Sequence, residues 1–369
     1  MGDPGTDGRA AGRVRRWAGA AAATVAVLAS GLAAPAHACG CGAMIGETEV
    51  AGESAVVRFD GDRETILMRL DVVSEEPGAA LVLPTPAPAE AELGDAAAFT
   101  SLAEVSAPVT EYYDDWWGGP WGFPLGAGSA PDGAGAGVDV LGTEKLGPFE
   151  VATLAADDSG ALADWLAEHG YELPGDLGKA LRPYVEEGWY YVAVKLASED
   201  GRAALSGELD PVQVSFDSDE LVYPMRLTAL ADTPQDVRLY LLAEHRMERS
   251  DGAARAVPSE VAFAGRVAPG DFAADDPAAE LVGRDGAFLT TLDHAIDDPE
   301  RVSADFAFTP SAEDTPYQEV RHEPRYVQIL FLPAGVVLLG AALVVLLAGT
   351  LVLYRVRERR AVARYARRG

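Results

Sequence analysis

Cysteine is nearly absent: Cys39 and Cys41 are the only two in 369 residues, so no disulfide framework holds this chain together. Lysine is almost as scarce. Lys145, Lys179 and Lys195 stand beside 26 arginines, a bias of composition rather than of one site. Acidic side chains outnumber basic ones 58 to 29, a formal charge of −29 that argues against nucleic acid as a partner. Catalytic signatures are missing too: there is no G-x-S-x-G, H-E-x-x-H, P-loop or dinucleotide fingerprint. The adjacent acidic pairs Asp114-Asp115, Asp157-Asp158, Glu186-Glu187 and Asp297-Asp298 would point neighbouring side chains apart, which makes them poor acid/base partners. No internal repeat is found, no cofactor is expected, and no ligand spacing calls for a metal.

What the chain does have is one long apolar run. Ile329–Leu353 is 25 residues without a charge or an amide, bracketed by Tyr326 and Tyr354. At about 1.5 Å per residue it could reach about 37 Å, more than a hydrocarbon core of roughly 30 Å. A transmembrane helix is therefore expected over 327–354. The tail at 355–369 carries Arg355, Arg357, Arg359, Arg360, Arg364, Arg367 and Arg368 against Glu358 alone, which places it in the cytoplasm. The span holds no strict G-x-x-x-G and no intramembrane charge, so it reads as a plain anchor.

At the other end, Arg13, Arg15 and Arg16 precede an apolar stretch from Ala18 to Ala34 that closes on Ala36-His37-Ala38. Residues 1–38 are read as a signal peptide, cut before Cys39. The result is a single-pass cell-membrane protein with its N-terminal domain outside. Setting aside four arginines and two aspartates before the cut, and seven arginines and one glutamate after the span, leaves 18 basic against 55 acidic side chains, or −37. Such a surface attracts cations or basic partners, and it also aids solubility.

The exported part begins Cys39-Gly40-Cys41-Gly42. Three readings stay open: a tight local disulfide, a strained redox pair, or half of a metal site completed by two of His169, His245, His294 and His322. Beyond it the pattern predicts an α+β domain over 39–308, mainly antiparallel β with a helical hairpin insertion. SAVVRF and RETILMRLDVV flank Asp60-Gly61-Asp62 as a β-hairpin, and Ala79–Leu83 is a strand halted by Pro84. Ser159–His169 and Pro174–Glu187 form the helices, with a break at Pro183, and WYYVAVKL follows as a strand. Further strands are expected at Val212–Phe216, Leu221–Leu227, Val237–His245, Val261–Val267, Phe288–Leu292 and Ala304–Phe308, then a polar stalk at 309–326. The Trp/Gly-rich loop at 114–139 carries Trp116, Trp117, Trp121 and Phe123, rings that suit contact with a partner, a glycan or a membrane surface. Two subdomains split near that loop are one reading of the domain.

The pieces ACGCG, TILMRLDV, ALVLPTPAP, LGPFEV, LADWLAEHGYELP, YVEEGWYYVAVKL and DELVYPMRL, in that order, resemble an uncharacterised bacterial family, domain-of-unknown-function family 2330. The resemblance implies an exported bacterial surface domain and transfers no activity or catalytic residue. The function expected first is a non-enzymatic surface module that binds an envelope component or a protein partner. The alternatives are an envelope hydrolase using non-adjacent carboxylates or a bound cation, and a thiol-disulfide role for the Cys-Gly-Cys pair.

Overall fold

Alternation with period two places successive side chains on opposite faces of a sheet, and here both faces are covered. The structure, a computed structural model, describes residues 36–38, 42–46, 48–74, 76–118, 150–155, 159–173, 175–197 and 204–366. The chain divides into one unit of residues 1–105 and 143–316 and a second of residues 106–142 and 317–369.

In the first unit, β1 (Ala36–Ala38), β2 (Ala43–Ile45), β5 (Gly78–Thr85), β9 (Tyr190–Ala197) and β8 (Glu150–Ala155) form one sheet in that order. A larger sheet is built on the hairpin of β3 (Thr48–Phe59) and β4 (Arg63–Ser74). Its order is β15 (Glu260–Val267), β16 (Ala287–Ile296), β13 (Gln235–Ala243), β3, β4, β11 (Val212–Asp217), β6 (Glu90–Leu93), with β10 (Gly207–Glu208) beside β4. A small sheet joins β12 (Leu221–Tyr223), β17 (Phe306–Pro310) and β14 (Met247–Arg249). Among the described strands of this unit, pairing is antiparallel except for β3 against β13.

The sheets stack face to face, with Val57, Ile66, Met68, Leu239 and Leu241 meeting Leu81, Leu83, Val192 and Val194 in one core. The alternate residues Val82, Tyr191 and Ala193 face helices α2 (Ser159–Glu168), α3 (Gly175–Ala180) and α4 (Arg182–Glu187). On the other outer face, Val56, Leu67 and Leu289 pack on α1 (Ala97–Val105) and α5 (Pro277–Val282). The result is four layers, helix–sheet–sheet–helix, and α+β describes it. Gly42 shows why the CGCG segment ends as it does: a Cβ there would lie 2.5 Å from the Val82 carbonyl oxygen, so only glycine lets β2 close on β5.

The Asp60-Gly61-Asp62 hairpin and the helix break near Pro183 stand as expected. Several boundaries are corrected. Strand β5 continues through Pro84, because β2 covers only Ala80–Val82 and the proline removes at most one ladder bond. Strand β12 stops at Tyr223, ahead of Pro224, and a 3-10 turn follows at Arg226–Leu230. It pairs with β17 rather than with β11, so the acidic turn at 217–220 leads from one sheet to another.

The second unit holds residues 317–326 of the expected stalk. There β19 (Val320–Tyr326), which follows β18 (Tyr317–Gln318), pairs in parallel with β7 (Val109–Asp115). Then β20 (Gln328–Ile329) and β21 (Leu332–Pro333) make a tiny hairpin before α6 (Ala334–Ala366). The apolar helix therefore starts at Ala334 rather than at 327 or 329. The residue before a proline is driven out of the helical region, so Leu332-Pro333 sets the start. Residues Ala334–Arg360 make one helix long and apolar enough to cross a membrane.

Candidate functional site

A cleft of about 630 Å³ opens where the strand ends of the first unit converge. Strands β3 and β13 run parallel, so both deliver their C-terminal ends here: Phe59 leads into the Asp60-Gly61 turn, and Ala243 leads to Glu244 and His245. Asp219 and Glu220 enter from the link between β11 and β12, and Asp285 from the turn before β16. Five carboxylates thus line the opening against two guanidiniums. Both guanidiniums are held by the protein: Arg58 donates to Asp60 at 2.9 Å and to the Leu281 carbonyl, and Arg266 donates to the Glu244 carbonyl at 3.2 Å. His245 contacts the Asp314 carboxylate at 3.0 Å, and that contact with the Arg246 amide holds the Asp314 carboxyl below its usual range.

Glu64 on β4, bonded to the Val222 amide, is fully buried. One of its oxygens accepts the Val222 amide at 2.9 Å, and the other has no hydrogen-bond partner. Burial pushes its carboxyl well above the ordinary glutamate value, against the lowering effect of that amide. The folded state therefore binds this proton more tightly than the unfolded chain does. Its contribution is complete below about pH 4.5 and is lost as pH rises through the raised folded value. We expect Glu64→Gln to stabilise the fold by about 1–3 kcal/mol at neutral pH. The gain over the natural chain should shrink to nothing near pH 4.5; denaturant melts across that range would read it, and a pH-independent gain would contradict burial as the cause.

Two more groups of buried charge are held within the first unit. Arg249 and Asp251 are each 4% exposed in their side chains and are joined by two bonds, one of 2.8 Å from the guanidinium to Oδ1. The guanidinium sits 3.3 Å from the centroid of the Phe306 ring, and His294 packs against that same ring at 4.9 Å. Burial, with Arg249 nearby, lowers the imidazole to about 4, so His294 is neutral at pH 7. Asp305 accepts the Tyr184 hydroxyl at 2.6 Å and the Met225 and Arg226 amides at 2.9 Å each on one oxygen. These carboxylates and cations are engaged with the fold itself. Sequence reading missed all of them, because the partners lie far apart in the chain or are marked only by burial.

The residues singled out from the sequence fall as follows. Cys39, Cys41, Trp121 and Phe123 lie outside the described residues. Among the described residues no cluster of three or more His, Cys, Asp or Glu is placed to hold a metal ion. The four histidines of the half-site reading are separately engaged: His169 on Trp165, His245 on Asp314, His294 on Phe306 and His322 on Glu111. Arg355, Arg357, Arg359 and Arg360 follow Tyr354 on α6.

Trp116 and Trp117 belong to the second unit, directly after β7. The Asp115 carboxylate accepts the Trp117 and Gly118 amides at 2.9 Å each, which turns the chain and lowers the Asp115 carboxyl below its usual range. The turn brings the Trp116 carbonyl to the Gly335 amide at 2.6 Å, where it satisfies one of the otherwise unpaired N–H groups of the first turn of α6. A Cβ on Gly335 would meet that carbonyl oxygen and the Trp117 indole, each at 2.7 Å. The glycine is there to let the tryptophan ring lie against the helix.

No curated protein matches this chain in sequence. Among solved structures, the crystal structure of baculovirus P35 aligns over 72% of this chain and 98% of that one, with 9% identity and a TM-score of 0.35. At that score the likeness carries no argument. A family model, by contrast, matches residues 35–309, from the first strand to the last strand of the small sheet. The chain belongs to the bacterial family described as "Uncharacterized protein conserved in bacteria (DUF2330)".

Proposed function

We propose that this chain is a non-enzymatic surface module, exported through an N-terminal signal and anchored by α6, that binds a basic segment of an envelope component or protein partner. The cleft carries the reading: among the described residues five carboxylates line one opening against two arginines, one bonded to the Asp60 carboxylate and the other to the Glu244 carbonyl. The wider charge supports it, since the exported part holds 55 acidic against 18 basic side chains and would steer a cationic ligand toward it. The apolar helix and its seven following arginines support an anchor whose C-terminus is cytoplasmic.

The test is binding of a lysine-rich peptide to the detergent-solubilised full chain. Binding should weaken with salt, and Asp219→Lys, Glu220→Lys and Asp285→Lys together should lower affinity about tenfold or more, as each lost charge-assisted contact is worth about 1 kcal/mol. Unchanged affinity in the triple variant would rule out the cleft as the binding surface.

A further inference from the structure

The turn at Trp116–Trp117 and the hairpin ahead of α6 carry apolar side chains in the open. Trp116 and Trp117 are 43% and 57% exposed, and Leu330 and Phe331, at the hairpin tip, are 84% and 85% exposed. The tip is also unusual in its backbone: Leu330 and Phe331 have φ of 51° and 69°, a region that bulky side chains rarely adopt. A water-exposed tip would normally place glycine or asparagine at these two positions.

The length of α6 fixes the depth of these groups. From Ala334 to Tyr354, the last residue before Arg355, there are 21 residues. At about 1.5 Å each they extend about 32 Å, against a hydrocarbon core of roughly 30 Å. No turn of the helix is left over, so the boundary between acyl chains and headgroups falls at its first residues. Trp116 and Trp117 contact the helix at Gly335. The chain folds back through the Ala334 amide bond to the Val327 carbonyl at 2.8 Å, which keeps Leu330 and Phe331 beside the same turn. Indole rings, apolar at the face and polar at the N–H, suit that layer.

We infer that Trp116, Trp117, Leu330 and Phe331 form a collar that inserts into the headgroup–acyl boundary of the membrane α6 crosses. The occupant of this apolar surface is lipid, not a protein or glycan. The collar holds α6 at fixed depth, and Gly335 is the contact through which the tryptophan turn is locked to it. The inference rests on α6 spanning the bilayer.

Full-length protein in vesicles of phosphatidylcholine and phosphatidylglycerol provides the test. Lipids brominated near the glycerol backbone should quench tryptophan emission more than lipids brominated near the chain ends, and Trp116→Phe with Trp117→Phe should remove much of that quenching. A tryptophan introduced as Phe331→Trp should gain shallow quenching, a readout that survives even if the double variant misfolds. Quenching equal in the natural chain and the double variant, with none gained by Phe331→Trp, would overturn the collar. Tryptophans that stay open to aqueous acrylamide in vesicles and close only when a protein partner is added would also overturn it. Extraction of the protein from the vesicles by alkaline carbonate would instead sink the spanning helix, a separate failure.

Discussion

Arg249→Ala is expected to destabilise the fold by about 3–5 kcal/mol, the range for removing one partner of a buried ion pair. In a domain of this size that is a fall in melting temperature on the order of 10 °C. The variant leaves Asp251 buried without its counter-charge, and it strips the covering group from one face of Phe306. Burial pushes the Asp251 carboxyl up, and Arg249 with the Ala253 amide pulls it below its ordinary value. Without Arg249 the carboxyl should rise, so the penalty should be largest at neutral pH and shrink toward pH 4, where the acid can protonate. A second readout is His294. Its imidazole is held near 4 partly by the charge of Arg249, so its titration should move upward in the variant when followed by NMR. In the natural chain a lowered histidine stabilises above pH 6.5 and loses that contribution as pH falls toward 4, and the variant should lose less over that window. A penalty independent of pH, with His294 unmoved, would mean that packing alone is at stake.

The β-hairpin at Asp60-Gly61-Asp62, the helix break near Pro183 and strand β9 were legible because each depends on neighbours in sequence: turn chemistry, a missing N–H, a run of β-formers. The start of α6 was legible in principle, since Leu332-Pro333 interrupts the apolar run, but composition alone weighs a proline near a span as just another uncharged residue. The polar segment 317–326 gave no sign of being a strand, because its partner β7 lies over 200 residues earlier and the pairing is parallel. The same holds for the cleft. Its carboxylates come from four separate turns: the parallel placement of β3 beside β13 brings Asp60 and Glu244 together, and Asp219, Glu220 and Asp285 arrive on two other turns. Buried charge is the least legible. Nothing local separates Asp305 from the many exposed aspartates around it, since its three hydrogen bonds reach across 79 to 121 residues. The tryptophans were noticed as rings in a Gly-rich loop, and it took the close approach to Gly335 to say what Trp116 and Trp117 lie against.

Asp305→Ala should have an effect comparable to that of Arg249→Ala, through a different mechanism. One carboxylate oxygen gathers the Tyr184 hydroxyl from α4 and the Met225 and Arg226 amides from the 3-10 turn, and it does so at the entrance to β17. Its other oxygen lies 2.9 Å from the Arg226 guanidinium, close in distance but off the hydrogen-bonding angle, so that contact acts as an ion pair. Burial raises the Asp305 carboxyl above its ordinary value in spite of these bonds, and it pushes the Tyr184 hydroxyl well above its own, helped by the Asp305 charge. Tyr184 therefore remains a donor across the neutral range. Alanine leaves three buried donors without an acceptor, each costing about 1–3 kcal/mol, so a total of about 4 kcal/mol is expected. Asp305→Asn keeps an acceptor for all three and gives up only the attraction to Arg226, so it should cost about half as much or less. Tyr184→Phe should cost about 1 kcal/mol alone and much less on top of Asp305→Ala, because the two share one bond. The loss should also be uneven: hydrogen exchange should speed up first in α3 and α4, the layer that Tyr184 pins to the sheets, before the central strands β3 and β13 open. Equal penalties for the asparagine and alanine variants, or strict additivity with Tyr184→Phe, would mean that Asp305 is not the acceptor that joins the helical layer to the sandwich.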